Sequence, residues 1–286
     1  MEEFKNIYII GVGLIGGSFA RDTRKLLPES KIYGVDASEG HLKEAIKLGV
    51  IDAVGTYEDL KDAHLVILSI PVDQANIELP KILDIVNDEA LVVDMGSTKA
   101  AICAAVLDHQ KRRNFLAAHP IAGTEFSGPS AAIEKLYSGN TMIICEVEKT
   151  AFKLQEKALQ LFQEMGMRLR YMEPQSHDRH IAYVSHLSHI SSFMLGKTVI
   201  EKEKNERDIF DMAGSGFAST VRLAKSNPAT WTPIFKENKI HVLETLNEYI
   251  NNLNNFKHFL ETDDYESVYK EMEDTNHIKI ILNGIS

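Results

Sequence analysis

The chain has 286 residues, 44% of them hydrophobic and 25% charged, enough for one large or two medium domains with proper cores. Its formal net charge is -10, and Lys and Arg are dispersed without forming a stripe, which argues against nucleic acid or any other polyanion as a partner. No run approaches the ~20 apolar residues of a membrane helix, and Met1-Glu2-Glu3 places acid where a signal peptide carries positive charge, so a cytoplasmic location is expected.

From Lys5 to about Arg170 the sequence switches between short β-rich apolar runs and helical segments, the rhythm of βαβ units and a parallel sheet. The expected strands are "NIYII", "KIYGV", "LVILSI", "ALVVDM", "FLAA", "TMIIC" and "RLRYM", with amphipathic stretches such as Gly40 to Leu48 and Phe152 to Met165 between them. Continuous Val/Ile/Leu runs fit a sheet covered on both faces. Cys103 and Cys145 read as small buried hydrophobes, with neither a disulfide nor a zinc site implied.

The first strand runs into "GVGLIGGS", giving Gly11-x-Gly13-x-x-Gly16. Such glycines permit a tight turn and let a pyrophosphate meet the backbone at a helix N-terminus. The motif alone is weak, but a strand precedes it, a helix follows, and the second strand ends in Asp36, twenty residues past Gly16. An acid at that point accepts both ribose hydroxyls and repels a 2′-phosphate, so the cofactor reading is NAD in preference to NADP. Gly11, Gly13, Leu14, Ile15 and Gly16, with Asp36 and, from "SIPVD", Ser69 and Pro71, are the expected cofactor contacts.

Ligands of open parallel sheets lie beyond the carboxyl ends of the strands. Five strand ends, "GVGLIG", "VDAS", "SIPVD", "DMGSTK" and "HPIAGTE", are therefore expected along one edge. That delivers His119 to the nicotinamide position, although a strand-capping histidine followed by a solvated loop is the plainer alternative. Ser97, Thr98 and Lys99 reach the same rim; Ser97 and Thr98 serve equally well as N-caps for the helix through Ile102 and Val106.

From about Glu173 helical periodicity dominates, placing a domain boundary near "MEPQSHD". The division expected is 1–172, an α/β doubly wound dinucleotide-binding domain, and 173–286, an all-α substrate and dimerisation domain. "SHDRHIAYVSHLSHISSFMLGK" reads as one long helix carrying His177, His180, His186 and His189. At ~100° per residue His186 and His189 lie about 60° apart while the other two fall on other faces, so no metal site is expected. Ala182, Ser185, His189, Ser192 and Gly196 make a seam of small residues interrupted by one imidazole, open to a second backbone or a ligand; a satisfied core histidine is the rival reading. Downstream, Gly214 and Gly216 precede a helix expected to carry Arg222, and Pro228 starts another with Trp231 on its first turn. A guanidinium suits a planar carboxylate, or else bridges surface helices. The remaining amphipathic helix speaks for packing and dimerisation.

With these motifs assembled, the chain resembles the prephenate dehydrogenase family, which includes arogenate-using relatives. "IIGVGLIGGSFA" is shared with many NAD enzymes; "DMGSTK", "HPIAGTEFSG", "SHDRHIAYVSHLSH" and "GFASTVRLAKSNPATW" together are far more specific. The resemblance implies a homodimer and oxidative decarboxylation of prephenate by NAD to 4-hydroxyphenylpyruvate, a step of tyrosine biosynthesis. By motif position His119 takes the C4 hydroxyl proton, Ser97 holds that hydroxyl and helps orient His119, Arg222 pairs with the ring carboxylate, His189 reaches the pyruvyl side chain, Glu125 lines or gates the pocket, and Trp231 is the active-site tryptophan. Some relatives carry Lys-Asp where this chain has Ala218-Ser219, which bears on side-chain discrimination. A cationic or donor His189 favours a keto acid, hence prephenate over arogenate. Neither a regulatory domain nor a chorismate mutase segment is expected, so tyrosine feedback would act at or near the active site. The rivals are a β-hydroxyacid or 6-phosphogluconate type dehydrogenase, which uses a lysine base in the helical domain, and a dinucleotide-binding sensor without chemistry.

Overall fold

The structure is a computed structural model that describes residues 4–204, 206 and 208–283, with backbone alone for 282 and 283. Its centre is an eight-stranded sheet built from β1 (Asn6–Ile10), β2 (Lys31–Val35), β3 (Ala53–Val54), β4 (Leu65–Leu68), β5 (Leu91–Asp94), β6 (Phe115–Pro120), β7 (Thr141–Cys145) and β8 (Arg168–Tyr171), in the order β3-β2-β1-β4-β5-β6-β7-β8. The crossover helices are α1 (Leu14–Leu26), α2 (Glu39–Lys47), α3 (Val72–Ile85), α4 (Ala100–Ala105) and α5 (Phe152–Glu164).

Alternate residues of one strand feed two cores, as the period of two requires. Ile7 and Ile9 pack with Phe19, Tyr137 and Phe162 on one face. Tyr8 and Ile10 pack with Leu79, Leu83 and Ile102 on the other. Coverage on both faces explains why the strands read as unbroken apolar runs. Cys103 and Cys145 are free and buried, and burial pushes both thiols up to about 12.

The sheet departs from the sequence expectation in three places, one of them the short strand β3, which is not among the expected strands. The pair β6–β7 is antiparallel, whereas every other pair is parallel. A parallel return needs a crossover element, and between β6 and β7 the chain has only loop and a short 3₁₀ turn at Pro129–Ala131. The strand "FLAA" also continues through His119 and Pro120, with His119 opposite Ile143 of β7.

After β8 come α6 (Pro174–Ile181), a π-helical turn (Ala182–His186), α7 (Leu187–Glu203), α8 (Ser215–Thr220), a 3₁₀ turn (Arg222–Lys225) and α9 (Pro228–Glu237). The expected single helix across the histidines is thus interrupted by a wider turn. Arg222 sits on the 3₁₀ turn beyond α8, not on the helix. By compactness the chain divides into a unit ending at Lys239 and another beginning at Ile240. The second comprises nearly all of α10 (Lys239–Glu261), then α11 (Tyr265–Thr275) and α12 (Ile278–Asn283). It exposes Leu243, Ile250, Leu253 and Leu260 on α10 and Tyr265, Tyr269 and Met272 on α11. Among the described residues no helix is long and apolar enough to cross a membrane.

Candidate active site

The parallel arrangement brings the C-terminal ends of β2, β1, β4, β5 and β6 to one edge. At β1, Gly11 has φ +92°, and a Cβ there would lie 2.5 Å from the Ser69 carbonyl oxygen. A Cβ on Gly16 would lie 2.1 Å from the Gly11 oxygen and 2.3 Å from Ser69 Oγ. Both positions therefore require glycine. Gly13 N-caps α1 with no side-chain cap and no acid in the first turn. The first helical bond runs from Gly17 N to Gly13 O, which leaves the preceding N–H groups, those of Leu14, Ile15 and Gly16, free for an anion. Ser69 braces this turn: its hydroxyl lies 2.8 Å from Gly11 O and 3.1 Å from Ile10 O. Pro71 caps the start of α3.

Asp36, just past β2, accepts from Val12 N at 3.1 Å and Ser38 N at 2.9 Å, with His41 Nδ1 3.3 Å away. Its carboxylate thus ties the end of β2 to the glycine turn and still has lone pairs for hydroxyl donors. The glycine turn, the free helix N-terminus and this acid fit a dinucleotide.

On β6, His119 is 9% exposed. Its Nδ1 lies 2.8 Å from His177 Nε2, and His177 Nδ1 lies 2.7 Å from Asp178 Oδ1. Burial first, then the neighbouring His177 and Lys99, hold the His119 imidazole well below its usual value. Lys99, with no exposed surface, donates Nζ to Asp94 and, at 2.7 Å, to Ala118 O. A fully buried ion pair therefore underlies the His119 strand.

Neither Ser97 nor Thr98 caps α4. The cap is Asp178, reached across the fold: Oδ1 accepts from Lys99 N at 2.7 Å and Oδ2 from Ala100 N at 2.9 Å. Ser97 lies half-buried on the loop after β5, and among the described residues it makes no hydrogen bond to His119. The ring is oriented by His177, a residue whose sequence signal, a His-Asp pair at the start of a helix, carried no indication of this partner.

The helical segment supplies the remaining groups. Ser192 Oγ donates to Thr220 O at 2.7 Å, and Ala224 Cβ sits 3.8 Å from where a Cβ of Gly196 would be. The small-residue seam of α7 thus receives a second backbone, the one leading into Arg222. Arg222 Nη1 donates to Glu125 at 3.2 Å, with the arginine side chain 53% exposed. The Glu125 carboxyl is held low by its own backbone N–H first, then by Arg222 and Lys225. His189 donates Nδ1–H to Ser185 O at 2.9 Å and stacks on Trp231, ring centroids 3.3 Å apart at 24°. Burial lowers its pKa and Arg222 lowers it further, against the opposing bond to Ser185. Burial thus favours the neutral ring, whose Nδ1–H goes to Ser185 O and whose Nε2 is left as an acceptor, the form less suited to a keto acid. Pro228 starts α9, Asn227 capping it at 2.9 Å to Ala229 N, with Trp231 on the first turn.

The other histidines diverge. His186, held at about 4 by burial, accepts at Nδ1 from Asn238 Nδ2 at 3.2 Å, and His180 is exposed. Among the described residues no cluster suited to a metal ion occurs. The loop after β6 and the turn at Lys225–Pro228 border an open groove of about 780 Å³, which Glu125 lines. The same loop then runs along α1, where Ile133 N donates to Ser18 Oγ at 3.0 Å and Lys135 N to Asp22 Oδ1 at 2.7 Å.

A dinucleotide cradle and a buried imidazole on one edge of a Rossmann-type sheet make this chain an NAD-dependent dehydrogenase by class. The profile of the prephenate dehydrogenase nucleotide-binding domain matches residues 19–171, and that of the prephenate dehydrogenase dimerization domain matches residues 173–274. The chain belongs to the prephenate dehydrogenase family. The crystal structure of prephenate dehydrogenase from Aquifex aeolicus with hydroxyphenyl propionate and NAD+ superposes with a TM-score of 0.88 at 32% identity, covering 97% of this chain and 98% of that one. Prephenate dehydrogenase of Bacillus subtilis is 31% identical over 94% of this chain and 74% of its own length. Synechocystis arogenate dehydrogenase superposes at 0.75 with 25% identity, over 96% and 98% of the two chains.

Proposed function

We propose that the chain catalyses the NAD-dependent oxidative decarboxylation of prephenate to 4-hydroxyphenylpyruvate, in tyrosine biosynthesis, as a cytoplasmic homodimer. The division of labour is a dinucleotide-binding domain over 1–172 and a helical substrate and dimerisation domain over 173–286; the apolar side chains on α10 and α11 supply the contact. The observation that carries the reading is the grouping of Glu125, Arg222, His189 and Trp231, in which Arg222 pairs with Glu125, its charge acts on His189 and His189 stacks on Trp231, on a fold that sets His119 at the strand edge shared with the glycine turn.

Leu14, Ile15 and Gly16 N–H groups hold the pyrophosphate, Asp36 the adenosine ribose, and the backbone around Ser69 and Pro71 walls the site. When bound, NAD supplies the acceptor for the C4 hydride. His119 takes the C4 hydroxyl proton as that carbon is oxidised, while Ser97 holds the hydroxyl oxygen. Loss of the ring carboxylate as carbon dioxide leaves a phenolate, to which His119 returns the proton. Arg222 binds the ring carboxylate, and His189 on its Trp231 platform lies at the side chain. A second reading, arogenate, is favoured by one feature: the neutral His189 presents an acceptor, which suits an ammonium group.

Purified protein with NAD and either prephenate, arogenate, 6-phosphogluconate or 3-hydroxyisobutyrate distinguishes the alternatives by NADH appearance. Prephenate should give NADH, carbon dioxide and 4-hydroxyphenylpyruvate, with the larger kcat/KM of the two cyclohexadienols. Turnover of either hydroxyacid without either cyclohexadienol overturns the reading.

Asp36→Ser should weaken NAD by roughly 10- to 100-fold, the worth of one or two charge-assisted hydrogen bonds, and should narrow its advantage over NADP because the repelling charge is gone. Steady-state kinetics with both cofactors measure this; a wild-type enzyme preferring NADP refutes the role.

A further inference from the structure

We propose that His177 and Asp178 are positioning residues that hold His119 in its Nδ1-protonated form, leaving Nε2 as the face that takes the substrate proton. The proposal rests on the reading of His119 as the base. A carboxylate is acceptor-only, and that of Asp178 gathers three N–H donors: Lys99 N, Ala100 N and His177 Nδ1. The hydrogen between His177 and Asp178 therefore sits on Nδ1 of His177. His177 is 2% exposed, and burial with the nearby Lys99 ammonium outweighs the Asp178 carboxylate and disfavours a positive charge on the ring, so its Nε2 keeps a lone pair. Across 2.8 Å the partner of that lone pair is a hydrogen on His119 Nδ1.

The consequence is directional. With Nδ1 carrying the hydrogen, His119 has one acceptor left, Nε2. When it takes the C4 hydroxyl proton the ring becomes an imidazolium, whose Nδ1–H points at a lone pair backed by a carboxylate. The proton stays on His119 until the product phenolate recovers it, so none is lost or gained by His177 or Asp178. Other ionisable groups facing this line are Asp94 at the end of β5, Lys99 just before α4, His186 from the π turn and Cys145 from β7. The main chain of the line is fastened as well, Asn238 Nδ2 donating to Asp178 O at 2.6 Å. Asp178 also caps α4, so changes there mix two effects; His177 isolates the one in question.

Two substitutions at His177 test this. Leu removes the acceptor. Gln places its Oε1 near the position of Nε2, where it accepts from His119 Nδ1–H while its amide group faces away. His177→Leu should lower kcat for prephenate on the order of 100-fold or more, as loss of a fixed tautomer does in hydrolase triads, with KM for prephenate and NAD affinity within about threefold. His177→Gln should recover at least tenfold of that loss. In ligand-free protein, ¹⁵N imidazole shifts should report His119 as Nδ1–H in wild type and the Gln variant, and a shift toward Nε2–H in the Leu variant. A wild-type His119 carrying its hydrogen on Nε2 overturns the proposal. So does a Leu variant within threefold of wild-type kcat, or equal damage by Leu and Gln. Because the shifts are read without substrate, they hold whichever cyclohexadienol is used; absence of NADH from both cyclohexadienols sinks the functional reading and leaves the tautomer result standing.

Discussion

His119→Asn should bind prephenate and NAD with near wild-type affinity and turn over ~10²–10⁴-fold more slowly, the usual cost of losing a general base. The asparagine amide occupies the position of Nδ1 and can still donate to His177 Nε2, so the buried polar line stays satisfied and the fold survives. What it lacks is a nitrogen lone pair with affinity for a proton. The pH profile gives a second readout. Burial disfavours the imidazolium, so the wild-type base stays unprotonated to lower pH than an ordinary histidine does. The acid limb of kcat/KM should therefore fall below pH ~6.5, and this limb should vanish in the Asn variant. Stability carries the same sign: a ring whose folded pKa is depressed contributes fully above the unfolded pKa near ~6.5, and loses that contribution as pH falls toward the folded value. A variant within about threefold of wild-type kcat removes His119 from the mechanism.

That His119 was legible at all comes from the strand pattern. "FLAAHP" is apolar on both faces because the sheet is covered on both faces, so a titratable ring in that run stands out in the bare sequence. The glycine turn and Asp36 were legible for a related reason, since their spacing is set by one short βαβ path. What the sequence withheld depends on contacts between distant segments. His119 and His177 are 58 positions apart, and the α4 cap comes from 78 residues downstream. A Ser-Thr pair before a helix satisfies the local rule for an N-cap, and tertiary structure replaced it with a carboxylate that serves two elements. The antiparallel β7 is equally non-local in origin: apolar periodicity is blind to strand direction, and only the missing crossover helix between β6 and β7 indicated it.

The π turn at Ala182–His186 has similar standing. An ideal helical wheel places His186 and His189 about 60° apart, on one side of the helix. Both rings meet Trp231, His189 stacked on it and His186 edge-on, and His186 also pairs with Asn238. His186 becomes a core residue edge-on to Trp231 at 5.9 Å, bracing the platform on which His189 lies.

Arg222→Gln should act on KM where His119→Asn acts on kcat. The ring carboxylate is present in the ground state and departs as neutral carbon dioxide, so holding it stabilises bound substrate more than the state in which the bond breaks. Its loss removes binding that does not favour the transition state, which raises KM with a smaller change in kcat. The structure bears on the size of the effect. Arg222 is half-exposed and already paired with Glu125, so the substrate carboxylate replaces one partner by another instead of meeting a free cation. We expect a loss on the order of 10- to 100-fold in kcat/KM. Without the arginine, Glu125 keeps only the more distant Lys225 charge and remains a negative group facing a dianionic substrate. Adding Glu125→Gln to Arg222→Gln should therefore lower KM again, recovering part of the loss, with kcat little altered. Should Arg222→Gln leave KM for prephenate unchanged and reduce only kcat, or weaken NAD instead, Arg222 does not bind the carboxylate. If the second substitution worsens KM, Glu125 contacts the substrate directly and does not compete with it for the guanidinium.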